Sequence, residues 1–237
     1  MRKLRIEAAA GSETGNRYRA NFDVVHLVRE PLLAVVADGM GDGRGSALAG
    51  RTAVDTFVER AGGGVADAAV LREAVALAQR RVGEIGRAVP GLAGCTLTAL
   101  TEGPDGFWIT QVGDSRVYRL RDGLLELLTV DHTMAWLGAV HGWYPFDSPQ
   151  AGSARYQLTR YIGHPGAPEP DLLNVTVRPG DRYLLCSDGV AEQVSYQYLE
   201  EVLGQRAAPA VLVRRLLDAA DTAGGHDNAT AVVVCAE

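Results

Sequence analysis

The sequence predicts an α+β fold in which antiparallel sheets are covered by helices. Three observations lead to this prediction. Strand-like segments occur in runs joined by hairpin turns, helical patterns come in pairs, and the regular strand–helix alternation of a parallel sheet is missing. The chain has 237 residues, of which 47% are hydrophobic and 22% are charged, so it can bury a large core without disulfides. Because the sequence contains no repeat or long linker, we expect one domain over 1–237.

The first half of the chain predicts three strands, two helices and then four more strands. Apolar and β-branched residues mark the strands, and apolar residues at helical spacing mark the helices. The tripeptide "RDG" at 121–123 is a hairpin turn signal. The strands are expected at 4–10, 22–28, 32–37, 96–101, 107–112, 117–121 and 124–128, and the helices at about 45–60 and 65–87.

The second half begins with an irregular stretch at 132–165, which is rich in Trp, Pro, Gly and His. Two strands, joined by the turn "RPGD", are expected next at 172–177 and 182–186. Two helices are expected at about 192–203 and 208–220, and a last strand at 230–235.

Composition narrows the class of protein. The net charge of −6 and the pI of about 5.4 argue against nucleic acid as a partner, because phosphate backbones are bound through clustered Lys and Arg. The three cysteines have no paired spacing and are interpreted as buried thiols. The longest clean apolar run, 32–37, is too short to span a membrane, and the N-terminus has no signal-peptide pattern. We expect a soluble, cytoplasmic monomer.

Four aspartates stand next to core strands, and each has glycine beside it or a few residues away. They are Asp38, Asp114, Asp188 and Asp227. Any one of these sites alone is most often only a turn. Four carboxylates converging at strand ends would repel one another and would require cations. Oxygen ligands without His or Cys pairs favour Mg²⁺, Mn²⁺ or Ca²⁺.

Seven motifs, in order along nearly the whole chain, resemble those of the bacterial type 2C protein phosphatases, the metal-dependent serine/threonine phosphatases (PPM family). Any single motif is weak evidence, whereas the shared order and spacing are specific. The motifs are "VADGMG" (36–41), "GCTLTAL" (94–100), "VGDSRVY" (112–118), "LTVDHT" (128–133), "LTRYIG" (158–163), "LLCSDGV" (184–190) and "HDNAT" (226–230).

The resemblance implies a four-layer α-β-β-α sandwich of two antiparallel sheets flanked by helix pairs, with Mn²⁺ or Mg²⁺ at one edge. It makes Asp38, Asp188 and Asp227 the catalytic metal ligands. Asp38 would bridge two ions, and the Gly39 carbonyl would bind one of them. Asp114, with Asp188, would hold a third, weaker ion, while Asp23 and Asn228 would support the ligands.

The implied reaction is removal of phosphate from phosphoserine or phosphothreonine of proteins by attack of a metal-bridging hydroxide. The implied partners are a phosphorylated protein substrate and a serine/threonine kinase whose action the enzyme opposes. Two alternatives stay open at this stage. One is a phosphatase of a small phosphorylated metabolite, and the other is a non-catalytic regulator with the same fold.

The chain departs from the family pattern in its first motif. Tyr18 stands where the phosphate-binding arginine is expected, and Phe22 stands where a glutamate is expected, while Asp23 is retained. Arg17 and Arg19 flank Tyr18, so either is a candidate to bind the substrate phosphate. The segment about 132–165 corresponds to the family's flap beside the active site, and its aromatic residues are unusual there.

Overall fold

The computed structural model describes residues 4–237. It shows two five-stranded antiparallel sheets, with helices on the outer face of each, which confirms the predicted α+β sandwich. The strands are β1 (Ile6–Glu13), β2 (Val24–Arg29), β3 (Leu32–Ala37), β4 (Leu97–Gly103), β5 (Gly106–Val112), β6 (Arg116–Arg121), β7 (Leu124–Leu127), β8 (Asp171–Val175), β9 (Arg182–Cys186) and β10 (Ala229–Ala236). The sheet orders are β1-β10-β9-β6-β7 and β2-β3-β4-β5-β8.

Two pairs of long or medium helices cover the sheets, and shorter helices lie in the connections. The helices are α1 (Arg44–Ala61), α2 (Ala68–Ala88), α3 (Met134–Val140), α4 (Pro149–Ala154), α5 (Asp188–Ala191), α6 (Tyr196–Gly204) and α7 (Pro209–Thr222). The Asp67 side chain caps α2 by accepting a hydrogen bond of 2.9 Å from Val70 N. In the described residues 4–237, no helix is both long and apolar enough to cross a membrane.

The layering explains why the central strands are apolar on both faces. In β3, Leu33, Val35 and Ala37 pack with the α1–α2 pair, whereas the alternate residues pack between the two sheets. In β10, Val233 packs towards α6 and α7, and Val232 packs between the sheets. Fully burying one such side chain stabilises the fold by about 1.5–3 kcal/mol. Cys95, Cys186 and Cys235 are buried free thiols, as expected.

Sheet topology brings the acidic motifs to one edge of the sandwich. Both β3 and β5 pair antiparallel with β4, so the two strands end on the same side of their sheet. Cys186 at the end of β9 pairs with Ala231 near the start of β10, so the segments around 188 and 227 are neighbours. The chain therefore places all four strand-end aspartates where the two sheets meet.

Several element boundaries differ from the prediction. The first strand runs to Glu13 because it pairs with β10 over eight residues, and Gly11 lets α7 approach it closely. The strand predicted from Phe22 begins at Val24, since the Phe22 amide donates to Asn228 Oδ1 and not to a strand. The helix predicted at about 192–203 begins later, at Tyr196 in α6, because Ser195 caps its start, and the short helix α5 before it was not predicted.

The segment 132–165 is not wholly irregular, since it contains α3 and α4. Both helices have a side-chain cap: Thr133 Oγ1 accepts from Trp136 N, and Ser148 Oγ accepts from Ala151 N, at 3.2 Å each. Pro149 occupies the first turn of α4, where its missing amide is no loss. These short helices were missed because six or seven residues are too few to show a helical period.

Candidate metal centre and active site

A cavity of about 240 Å³ lies at the sheet edge described above. Its wall includes all four strand-end aspartates and Gly39. The remaining wall is mixed, with aromatic, aliphatic and polar side chains. The structure thus brings together the five residues that the sequence singled out as metal ligands: Asp38, Gly39, Asp114, Asp188 and Asp227.

Thr96 holds the Asp38 loop in place. The Asp38 amide donates to Thr96 Oγ1 at 2.8 Å, and the Thr96 amide donates to the Asp38 carbonyl at 2.8 Å. Thr96 Oγ1 also shares a hydrogen bond of 2.8 Å with Ser115 Oγ, next to Asp114. This buried chain of bonds fixes two acidic loops relative to each other.

Asp188 and Asp227 are positioned by a second polar group. Ser187 Oγ donates to Asp23 Oδ2 at 2.8 Å and accepts from the Thr230 amide at 3.0 Å. Asp227 Oδ1 accepts from the Asn228 amide at 2.8 Å, and Asn228 Oδ1 accepts from Phe22 N at 2.8 Å. Asp23 and Asn228 therefore lie behind the pocket aspartates and connect them to the segment before β2.

The aspartates raise one another's pKa. Burial raises the pKa of Asp38 well above its usual range, and the charges of Asp23, Asp188 and Asp114 add to the effect. Burial and the charge of Asp188 do the same for Asp114. Burial and the charge of Asp227 raise the pKa of Asp188 to about 6. A buried group of like charges is unfavourable unless protons or cations neutralise it.

The same arrangement fits hard divalent cations. Asp188 Oδ1 is buried and has no hydrogen-bond partner within residues 4–237. None of the four pocket aspartates forms a salt bridge in the described part of the chain. Across that part, no three His, Cys, Asp or Glu side chains are yet close enough to hold an ion as they stand. The donor set is oxygen only, and oxygen ligands are those that Mg²⁺ and Mn²⁺ prefer.

Tyr18 and Phe22 both line the cavity, at the positions where the resemblance implies arginine and glutamate. Their rings meet edge to face, with centroids 6.2 Å apart. Burial, followed by the charge of Asp227, raises the pKa of the Tyr18 phenol. This wall of the pocket is therefore aromatic and neutral.

The two candidate arginines have different positions. Arg17 lines an adjoining hollow of about 210 Å³ that also includes Asp188 and Asp227, and its charge opposes the rise in the pKa of Asp227. Arg19 is exposed and lines neither of these two hollows in the described structure. Arg155, which the sequence did not single out, lines the hollow with Arg17. No local signal marks it, because the flap carries it to the site through tertiary packing.

His132 supports the Asp114 loop from behind. Its Nδ1 accepts from the Gly113 amide at 3.1 Å, and its Nε2 lies 3.0 Å from Asp171 Oδ2. Its side chain is buried, and burial lowers its pKa. His132 is thus a neutral hydrogen-bond acceptor that holds Gly113 beside Asp114.

Comparison with known proteins agrees with this geometry. The family described as Protein phosphatase 2C matches residues 19–221, which is most of the chain. The chain belongs to the protein phosphatase 2C family. Members of this family are metal-dependent serine/threonine phosphatases that use Mn²⁺ or Mg²⁺.

Several relatives within the protein phosphatase 2C family are bacterial proteins. The serine/threonine protein phosphatase PstP of Mycobacterium tuberculosis is 33% identical over 97% of this chain, which spans 45% of PstP. The solved catalytic domain of PstP, in complex with two manganese ions, is 30% identical, with a TM-score of 0.86 and 99% of each chain covered. A PPM phosphatase from Mycobacterium smegmatis, in complex with cacodylate, is 34% identical, with a TM-score of 0.84 over 96% of this chain and 97% of that one.

Proposed function

We propose that this chain removes phosphate from phosphoserine and phosphothreonine residues of proteins, as a single catalytic domain over 1–237 with 132–165 as its flap. One observation carries the proposal. Four aspartates without a salt-bridge partner in the described residues line one cavity, and their pKa values are raised. When its carboxylates are ionised, such a cluster is unfavourable unless cations neutralise it, and the family supplies the reaction that such cations support.

Each residue has a separate role in this proposal. Asp38 would be shared by two ions, the Gly39 carbonyl would help to hold one of them, and Asp188 and Asp227 would hold the other. Asp114, with Asp188, would hold a third, weaker ion. When bound, the ions supply an activated water and neutralise charge on the phosphoryl oxygens. Asp23 and Asn228 keep the ligands in place through the hydrogen bonds given above.

The phosphate anchor is proposed to be Arg17. It lines a hollow that shares Asp188 and Asp227 with the main cavity, and a guanidinium can bind two phosphoryl oxygens at once. Arg155 borders the same hollow, and its guanidinium lies 3.4 Å from Glu192. Arg19 remains the other candidate from the sequence, although its position gives it less support than Arg17.

The broader setting is part of the same proposal. The substrates are phosphorylated proteins, and a serine/threonine kinase provides them. We expect a cytoplasmic monomer that does not bind nucleic acid, in keeping with the net charge of −6. PstP and other bacterial serine/threonine phosphatases among the relatives support the protein substrate.

A phosphatase assay tests the proposal. We expect hydrolysis of an aryl phosphate and of phosphoserine peptides with Mn²⁺, and loss of both when a chelator removes the ion. Full activity in thoroughly chelated protein would refute the metal mechanism. Turnover of phosphometabolites but not of phosphopeptides would favour the metabolite alternative. Absence of all turnover, with Mn²⁺ bound, would favour the non-catalytic regulator.

Kinetics of arginine variants test the anchor. We expect Arg17→Ala to lower kcat/KM by about tenfold, mainly through KM, because a charge-assisted hydrogen bond to phosphate is lost. Arg19→Ala should have a smaller effect, and the exposed Arg51→Ala on α1 serves as the control. A wild-type KM in the Arg17→Ala/Arg19→Ala double variant would place the anchor elsewhere, with Arg155 as the next candidate.

A further inference from the structure

A further hollow of about 580 Å³, separate from the one that Arg17 lines, lies beside the metal pocket, and none of the proposed chemistry uses it. It lies between α2 and the segment after Tyr161, and we call it the α2 groove. The two hollows share Leu92 in their walls. Gly94 follows Leu92 closely in the sequence. A Cβ added at Gly94 would lie 2.9 Å from the Tyr161 ring and 3.2 Å from Met40 Sδ. The α2 groove and the metal pocket are therefore neighbours across a thin wall.

The α2 groove is held open by specific bonds. Buried Gln79 donates to the Tyr161 carbonyl at 3.0 Å and accepts from the Gly163 amide at 2.7 Å. Gly163 has a φ of +96°, and a Cβ there would lie 2.6 Å from the Ala93 carbonyl oxygen. The segment is thus fixed to α2 in one geometry, so a ligand would find the groove already formed.

Two glycines inside α2 form the floor of the groove. Glycine weakens a helix interior relative to alanine, so its presence there requires a reason. Packing does not provide one. A Cβ at Gly83 would meet no atom within 4 Å, and at Gly86 it would make only ordinary contact with Ala93 at 3.7 Å. The glycines keep the groove deep, because any longer side chain at these positions would project into it.

The charges on the groove favour an anionic ligand. Arg80 and Arg87 line it, are exposed, and form no ion pair among the described residues. Glu84 lies between them on the same helix face and is the one acidic residue of the lining. His164 is on the opposite side, and its Nδ1 accepts from the Gly166 amide at 2.9 Å. The groove is thus net basic, whereas the neighbouring metal pocket is acidic.

We propose that the α2 groove binds an acidic stretch of the substrate protein that flanks the phosphorylated residue. The inference rests on the proposed phosphatase function, since the groove borders the pocket in which the phosphorylated side chain would be hydrolysed. Arg80 and Arg87 would attract the carboxylates, and the glycine floor would admit the peptide backbone. Because both arginines are exposed, salt should weaken this preference.

Steady-state kinetics with Mn²⁺ test the proposal. The substrates are an aryl phosphate and three phosphoserine peptides, one with neutral flanks and two with acidic residues on either the N-terminal or the C-terminal side. We expect one acidic peptide to be preferred. Arg80→Glu/Arg87→Glu should lower its kcat/KM by about tenfold, mainly through KM, and leave the aryl phosphate unchanged.

A matched control has the same change in charge. Arg51→Glu/Arg72→Glu alters two exposed arginines on α1 and α2 outside the groove, and it should leave all four substrates unaffected. Gly83→Leu changes no charge but fills the groove. Because leucine suits a helix better than glycine, this variant should fold, and it should lose the same acidic preference.

The outcomes distinguish failure of the proposed phosphatase function from failure of the groove proposal. If the wild type hydrolyses neither the aryl phosphate nor any peptide, the proposed function fails and this inference fails with it. If the wild type is active but prefers neither acidic peptide, the function stands and the groove proposal is wrong. Equal losses in the two double variants would also overturn it, because the effect would then come from overall charge.

Discussion

Strand β9 has an aspartate near each end, and the two ends are built in opposite ways. Asp181, before the strand, accepts hydrogen bonds of 2.7 Å and 2.6 Å from Arg121 and another from the Arg178 amide. Asp188, after the strand, faces other carboxylates and keeps one oxygen without a partner in the described residues. One end stabilises the fold, and the other is prepared for cations.

The pKa values express this difference. Burial is the largest single influence on the pKa of Asp181 and would raise it, but the hydrogen bonds from Arg121 and the Arg178 amide, with the charge of Arg121, together outweigh burial and hold the pKa below its usual value. Burial and the charge of Asp227 raise the pKa of Asp188 to about 6. A carboxylate paired with arginine thus stays ionised at neutral pH without a metal. For a carboxylate among like charges, the ionised form is favourable only when a cation is bound.

The largest expected effect is on catalysis at the cation-binding edge. Asp38→Asn should lower kcat on the order of a thousandfold, because a neutral amide cannot provide the charge that two ions would share in the proposed site. Asp114→Asn should lower it less, since Asp114 would hold only the weaker ion. Turnover at saturating Mn²⁺ measures both. Wild-type kcat in Asp38→Asn would show that this edge is not the catalytic one.

The next effect concerns stability at the other end of β9. Asp181→Asn should lower the free energy of unfolding by about 3 kcal/mol at pH 7, since the largely buried Arg121 loses its anionic partner. Denaturant unfolding with Mn²⁺ present measures the loss. The kcat of the folded variant should equal that of the wild type. A fall in kcat with unchanged stability would reverse the roles assigned to the two ends.

A pH series distinguishes the two ends further. Folding raises the pKa of Asp188 to about 6 and that of buried Asp23 to about 7, so between about pH 4 and pH 7 the folded state binds more protons than the unfolded state. The free energy of unfolding of chelated protein should therefore fall as pH rises, by about 4 kcal/mol from pH 5 to pH 7.5. Saturating Mn²⁺ should remove this fall.

Asp188→Asn is the control for the pH series. It removes one of the raised carboxylates, so the slope should become shallower and the chelated variant should be more stable than wild type at pH 7.5. Asp181 does not contribute in this window, because its lowered pKa affects stability only at more acidic pH. A slope that is unchanged in Asp188→Asn would contradict the account of repulsion at this end.

Local patterns allowed prediction of the strands, the helix pairs and the strand-end aspartates, whereas the gathering of those aspartates at one edge was implied only by the resemblance. Strand β3 is an apolar run followed by Asp-Gly, and topology then brings Asp38 to Asp188. The different roles of Asp181 and Asp188 could not be predicted from such patterns. Asp181 precedes β9 and Asp188 follows it, and each stands beside a glycine. Arg121, the partner of Asp181, is sixty residues away in the sequence.

Other features of the site also depend on tertiary contacts. Arg155 reaches the hollow beside Asp188 from the flap, and the α2 groove needs both α2 and the distant Gly163. The sequence placed Phe22 in a strand, but its amide donates to Asn228 and the strand begins only at Val24. Short helices such as α4 leave too little pattern to be recognised. Contacts between residues far apart in the sequence, and not local composition, determine these features of the site.

The smallest expected effect compares one hydroxyl at each end of β9. Ser187 Oγ donates to Asp23 beside the metal pocket, and the Tyr183 hydroxyl donates to Asp181 Oδ2 at 3.2 Å. Tyr183→Phe should lower the free energy of unfolding by about 1 kcal/mol, the usual net value of one hydrogen bond, and Ser187→Ala by about 2 kcal/mol, because its hydroxyl also accepts from the Thr230 amide. Denaturant unfolding of metal-saturated protein measures both losses.

Mn²⁺ affinity should separate the same two variants. Without the Ser187 hydroxyl, Asp23 loses a bond that lowers its pKa, so its proton is held more tightly and the carboxylates it supports bind cations less well. We expect the Kd for Mn²⁺ to rise about tenfold in Ser187→Ala, by titration calorimetry, and to stay at the wild-type value in Tyr183→Phe. If both variants weaken Mn²⁺ binding equally, general loosening of β9 explains the result. The two ends would then be coupled, and the division of the strand into a stabilising end and a cation-binding end would be wrong.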